Sequence, residues 1–180
     1  MWTALSQVEG QLLLWIQEFI RQPWLDPVIS LYTRLGDHGL IWIVACAGML
    51  LWPKTRRAGL AGALALVLSL LCTNIILKHL FTRTRPWLVL EGLLPLVTER
   101  DPNSFPSGHT SAALSCAAAW WHYLPRPWRW TAGVCAVLMG LSRLYVGVHF
   151  PTDVFCGLLV GLFCGWGGWQ LEKLEVKSEK

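Results

Sequence analysis

The stretch from Ala58 to Leu77 runs for twenty residues without a single charge. A helix of that length rises about 30 Å, the thickness of a bilayer's hydrocarbon core. Val154 to Leu171 is a second charge-free run, eighteen residues long. Two such runs in 180 residues leave little chain for an ordinary soluble domain. The composition agrees, since 14% of the residues are charged and twelve are Trp, where soluble domains carry about a quarter charged residues. A disordered chain, a fibrous repeat, a coiled coil or a secreted disulfide scaffold is not expected. The expected fold class is all-α, a polytopic membrane helix bundle.

Further apolar segments, roughly 107–124 and 130–146, reach spanning length but carry a His or Arg near one end. Gly39–Pro53 is short for a crossing and borrows length from Leu31–Leu35. The count is five transmembrane helices, with six as the alternative. Ahead of them Leu5, Val8, Leu12, Trp15, Ile16 and Phe19 recur at helical spacing, with Gln7, Glu9, Gln17 and Glu18 on other faces. That pattern suits an amphipathic helix lying in the interface. Its start has no basic segment or cleavage site of the signal-peptide kind, and Pro23 breaks it. The expected organisation is residues 1–24 as the interfacial helix and 25–180 as a single transmembrane domain.

Basic residues in the connections give the orientation. Lys54, Arg56, Arg57, Arg126, Arg129, Lys173, Lys177 and Lys180 fall on one side, together with Trp52, Trp120, Trp121, Trp128, Trp130, Trp166 and Trp169 as an aromatic belt. That side is expected to be cytoplasmic and to hold the C-terminus. The net charge of +4 is too mild to argue for nucleic acid. All six cysteines sit in apolar runs without zinc spacing, which reads as small buried hydrophobes.

The informative residues are the ionisable ones at span ends. Lys78, Arg85, His109, Arg143, His149 and Asp153 all map to the external side, and charge near hydrocarbon is costly and commonly functional. Lys78 and Arg85 lie two helical turns apart, so one face would carry both, although cations at a span end also snorkel. Snorkelling is the reading for Arg83. Ser107 is a good N-cap before Gly108 and His109, and a helix start attracts anions; a plain capped helix explains the same residues. Asp153 could serve only the dipole of its helix, or it could orient His149 in a nucleophile–base arrangement. No carboxylate cluster suited to magnesium or zinc accompanies them. The inventory suits phosphoryl transfer without a metal.

Lys78-x6-Arg85-Pro86, Pro106-Ser107-Gly108-His109 and Ser142-Arg143-x5-His149-x3-Asp153 resemble, in full and in order, the three signature motifs of the type 2 phosphatidic acid phosphatase (PAP2) superfamily. The resemblance runs from about Gly36 to the C-terminus. It implies His149 as the nucleophile that becomes phosphohistidine, Asp153 as its orienting partner and His109 as the acid and later the base. Lys78, Arg85, Arg143, Ser107 and Gly108 would hold the non-bridging oxygens. It implies no cofactor and no metal, and a site at the outer leaflet of a bacterial inner (cytoplasmic) membrane. The larger relatives have six spans, the first of which is here replaced by the amphipathic helix.

The expected partners are membrane lipids and a lipid phosphate or pyrophosphate substrate, undecaprenyl pyrophosphate first, entering sideways from the bilayer. Phosphatidylglycerophosphate, phosphatidic acid and lipid A 1-phosphate stay open, as does a lipid phosphotransferase using the same phosphohistidine. A transporter would spread its charges through the membrane depth instead of gathering them at one end, and a soluble haloperoxidase does not fit the composition. Two histidines predict activity that falls on both sides of a mildly acidic to neutral range. His38, His79 and His122 are expected to tolerate Ala. Trp87, Glu91, Glu99 and Asp101 near the mouth could tune headgroup choice. Substrate chain and oligomeric state are not set by these residues.

Overall fold

The computed structural model describes residues 2–178, and among them only helices and irregular segments occur, apart from one antiparallel bridge between Thr84 and Asn103. Helix α1 (Trp2–Trp15) passes through a wider turn, Ile16–Ile20, and ends where Arg21 turns extended. Helix α2 (Asp26–Leu35) opens with Pro27 in its first turn. A short turn, Asp37–Gly39, separates it from α3 (Leu40–Leu51). There His38 and Gly39 take φ of 53° and 73°, a left-handed conformation that glycine adopts freely. The two helices meet at 49°.

Helix α4 (Arg56–Ser69) continues through Leu70–Leu77 to Lys78–Leu80, so one rod covers Arg56–Leu80. An irregular segment with one helical turn, Pro86–Val89, leads to α5 (Gly108–Trp120), α6 (Arg126–Tyr145) and α7 (Pro151–Ser178). Arg56–Leu80 and Pro151–Glu175, 25 residues each, are long and apolar enough to cross a membrane, and α2 with α3 makes a third if the bent pair is one span. The segment read as a span over 107–124 yields a helix of only 13 residues, about 20 Å long. It is apolar chiefly because protein surrounds it.

The packing is inverted relative to a soluble protein. Ala58, Ala61, Ala65, Ala113, Ala117 and Ala119 are buried, while Val67, Leu70, Phe155, Leu159 and Phe163 are exposed. Apolar side chains gain nothing by leaving lipid for protein, so helices associate through close backbone approach and polar contacts. On α7, a Cβ at Gly161 or Gly165 would stand 2.7 or 2.6 Å from the carbonyl oxygens of Ser111 and Ser115 on α5. Ser111 Oγ also lies 2.7 Å from Ser69 Oγ and accepts a 2.9 Å bond from Thr73, joining α5 to α4. At one end Glu172, fully buried, binds Arg57 at 2.6 Å and also Tyr123.

Helix α1 lies along the other end. Gly10 meets Leu90, Leu13 packs with Leu93 and Phe150, and Gln17 donates to Gly92 O at 2.9 Å. Arg21 Nε then donates to Tyr145 O at 2.7 Å. Its apolar stripe (Leu5, Val8, Leu12, Trp15, Phe19) points away from the protein, and Glu9 is turned inward. The sequence sets Glu9 apart only as one of the polar residues off the apolar stripe; the fold buries it. Of the basic residues used for orientation, Lys54, Arg56 and Arg57 are exposed at the end opposite α1. Lys180 and the side chain of Lys177 lie outside the described residues.

Candidate active site

All six ionisable residues singled out in the sequence come together at the end of the bundle beneath α1. Four arrive from helix ends: Lys78 from the end of the Arg56–Leu80 rod, His109 from the first turn of α5, Arg143 from the last turn of α6, and Asp153 from the first turn of α7. His149 sits on the connection between α6 and α7. Arg85 arrives differently. The helix carrying Lys78 stops at Leu80, so the two cations share no helical face, contrary to their seven-residue spacing. They converge because the irregular segment turns back and Arg85 Nε donates to Asp101 O at 2.6 Å, while Lys78 Nζ binds Asp101 Oδ2 at 2.5 Å.

His149 is buried, with its two ring nitrogens facing different groups. Nε2 lies 3.3 Å from Arg85 Nη1, and Nδ1 lies 3.5 Å from Asp153 Oδ2. The second separation is long for a hydrogen bond, so Asp153 acts on the ring there mainly through its charge. Burial, reinforced by Arg85 and Arg143, pushes the His149 imidazole well below the ordinary histidine value. The ring is therefore neutral at neutral pH. With the proton on Nδ1, Nε2 accepts from Arg85 Nη1, so its lone pair is aimed at the guanidinium that a bound phosphoryl group would also meet.

Arg143 is completely enclosed. Nη1 donates to Thr33 Oγ1 at 2.5 Å, and Nη2 is paired with Glu99. Its Nε has no hydrogen-bond partner among the described residues. Glu99 also stands 3.9 Å from Arg85 Nη2. Burial would raise the Glu99 carboxyl, but Arg143 and Arg85 hold it below the usual range. Burial likewise acts against Asp101, and the hydrogen bond from Lys78 wins, keeping that carboxyl low. The cations expected to grip phosphate are thus matched by loop carboxylates that stay ionised.

Ser107 caps α5, its Oγ accepting from Thr110 N at 3.4 Å and Thr110 Oγ1 at 2.9 Å. Those bonds leave the hydroxyl's own proton to donate. Ser107 N donates to Asp153 O at 3.0 Å, which ties the starts of α5 and α7 together. A Cβ on Gly108 would stand 2.9 Å from Asn74 Oδ1. His109 Nε2 lies 2.9 Å from Asp37 Oδ1.

Several residues sit where their sequence context does not place them. Arg83 does not snorkel: it is 2% exposed, and Nη1 donates to Asp153 Oδ1 at 2.8 Å. Asp37 joins the site through His109, and a lone carboxylate at a break in an apolar span is the sequence signal for it. Glu99 was placed at the mouth, yet it reaches the innermost cation. Asp37, Glu99 and His109 also bring three potential ligand atoms within 4.8 Å of one another, a cluster the sequence spacing gave no reason to expect. Arg143 stands against that cluster and opposes a cation there. His38, His79, His122 and Glu91 are exposed, and His38 adjoins Asp37. His122 stacks on Trp169 at the opposite end, with ring centroids 3.7 Å apart.

A sequence model described as the PAP2 superfamily matches residues 58–177. Phosphatidylglycerophosphatase B of Bacillus subtilis is 36% identical over 156 residues, covering 79% of this chain and 73% of that protein. An undecaprenyl-diphosphatase of Sulfolobus acidocaldarius is 30% identical over 146 residues, covering 79% of this chain and 70% of that protein. The crystal structure of Aquifex aeolicus LpxE superposes with a TM-score of 0.78 at 30% identity, covering 89% of this chain and 93% of the other.

Proposed function

The chain belongs to the PAP2 superfamily and is a phosphatase of it, and from that premise we propose that it is an integral membrane lipid phosphatase working through a phosphohistidine on His149. The observation that carries the reading is His149 Nε2 at 3.3 Å from Arg85, with Asp153 behind the ring. Nε2 attacks phosphorus, and the bond from phosphorus to the lipid oxygen, or to the bridging oxygen of a pyrophosphate, breaks. His109 gives its proton to the departing oxygen and then takes one from the water that attacks the phosphohistidine. Phosphate leaves and His149 is restored. Lys78, Arg85, Arg143, the Ser107 hydroxyl and the amide at Gly108 hold the non-bridging oxygens, where charge builds in the transition state. The step needs no metal, so phosphate release should persist in EDTA.

The proposed arrangement in the membrane is five spans, with α1 lying in the interface over the site and residues 25–180 forming one catalytic domain. The basic end faces the cytoplasm, the site faces outward, and the membrane is the bacterial cytoplasmic one. The substrate proposed first is undecaprenyl pyrophosphate, in keeping with the undecaprenyl-diphosphatase relative. Phosphatidylglycerophosphate is the second, favoured by the 36% identical phosphatidylglycerophosphatase B. A panel of purified lipid phosphates, compared by kcat/KM in nanodiscs, separates them. Wild-type turnover in a His149→Ala protein would refute the mechanism whatever the substrate.

A further inference from the structure

The buried charges behind His149 do not end at Asp153. Arg83 donates through Nη1 to Asp153 Oδ1 at 2.8 Å and to Thr152 Oγ1 at 2.7 Å. Through Nη2 it donates to Glu9 Oε2 at 2.5 Å and to Ser6 Oγ at 2.9 Å. Its guanidinium lies 3.9 Å over the ring of Phe150, the residue next to His149. Glu9 Oε1 in turn accepts from Thr152 N at 2.7 Å, an amide in the first turn of α7. Glu9, Arg83 and Asp153 are all buried. One residue of α1 therefore holds both the arginine behind Asp153 and the start of the helix that carries Asp153.

We propose that Glu9 and Arg83 are positioning residues for phosphoryl transfer, and that α1 is through them a working part of the catalytic machinery. The charge count gives the reason. Arg83 and Asp153 alone would be a neutral pair with nothing left to offer His149. Glu9 shares the guanidinium, and the triad keeps one net negative charge, which lies behind the imidazole as it becomes cationic on bonding to phosphorus. The arginine fork fixes where that charge sits, because a planar guanidinium bonds two carboxylates in set directions and an ammonium does not. The neighbouring Asp153 Oδ2 stays aimed at His149 Nδ1, accepting from Phe150 N at 2.8 Å on the way.

This inference rests on the reading of His149 as the nucleophile, so the test carries a control for it. Hydrolysis of a prenyl diphosphate in detergent micelles is measured for wild type, Glu9→Gln, Arg83→Lys, Tyr123→Phe and His149→Ala, with inhibition by inorganic phosphate. Glu9→Gln keeps the size of the side chain and an acceptor for Thr152 N, so it should fold even if the Arg83 variant does not. Loss of a partner that orients an active group typically costs 10–100-fold, so Glu9→Gln and Arg83→Lys should lower kcat about tenfold. KM and phosphate inhibition should not move, because Lys78, Arg85 and Arg143 are untouched. Tyr123→Phe removes a bond to the buried Glu172 at the far end of the bundle, and should lower Tm with little change in kcat. Unchanged kcat in Glu9→Gln, a KM that moves with it, or an equal kcat loss in Tyr123→Phe would overturn the proposal. If His149→Ala keeps wild-type turnover, the nucleophile reading itself falls. If His149→Ala is inactive while Glu9→Gln is unimpaired, only the positioning role is lost.

Discussion

A buried guanidinium is stable only when something shares its charge, and for Arg143 that partner is Glu99. A phosphoryl group bound at the site would meet the same fork. Replacing Arg143 by Lys leaves a point charge that cannot satisfy Thr33 and phosphate together, so kcat/KM should fall about a hundredfold or more, as when a transition-state donor is removed. Near-normal turnover would exclude Arg143 as a phosphate ligand. Glu99→Gln acts in the opposite sense. It leaves Arg143 short of a counter-charge, so the protein should melt lower, and inorganic phosphate should raise Tm more than in wild type because binding restores the balance. Thermal melts with and without phosphate measure both effects. The His149 imidazole, pushed down by burial and by Arg85, stays neutral as pH drops through the ordinary histidine value of about 6.5. A neutral ring is the nucleophilic form, so the acid limb of kcat/KM should fall below that value. An acid limb at or above it would mean that another group governs the loss.

Which elements could be read from the sequence depended on what a helix pattern measures. The rods Arg56–Leu80 and Pro151–Glu175 were legible because a charge-free run has few alternatives. Helix α5 was legible as apolar, but a hydropathy run does not distinguish lipid from surrounding protein, and its neighbours α4, α6 and α7 enclose it. Lys78 and Arg85 were correctly joined for an incorrect reason, since the helical wheel was carried past Leu80 into chain that is not helical. The same extension of the wheel conceals Arg83, which it sets on a different face from Lys78 and Arg85, whereas the fold buries it against Asp153. Glu9 is hidden from a sequence reading because amphipathicity sorts residues into apolar and polar faces, and here polar residues of α1, Ser6 and Glu9, turn toward Arg83 in the protein. The glycines of α7 allow a direct test at this scale. A methyl at Gly165 would stand 2.5 Å from Ala118 Cβ and 2.6 Å from Ser115 O, neither of them a flexible group. Overpacking of this kind costs typically 1–3 kcal/mol, so Gly165→Ala should lower Tm in detergent by several degrees, with activity retained below the transition. An unchanged Tm would mean that α5 and α7 can separate freely.

For the molecule as a whole, the scarce charges divide into two sets that act differently. Lys78, Arg83, Arg85 and Arg143 are paired with carboxylates around the site, so they are poor topological signals. Lys54, Arg56 and Arg126 lie exposed at the other end, where the positive-inside bias acts. The paired set lets a cationic site face outward without reversing the chain, which explains how Lys78, Arg83, Arg85 and Arg143 can coexist with the proposed orientation. This is testable without any substrate. In a background lacking the native cysteines, Glu91→Cys lies exposed near the site and Lys54→Cys lies exposed at the far end. In intact cells a membrane-impermeant maleimide should label the first at once and the second only after permeabilisation. The reverse pattern would put the site in the cytoplasm and would require the lipid phosphate to be presented from the inner leaflet.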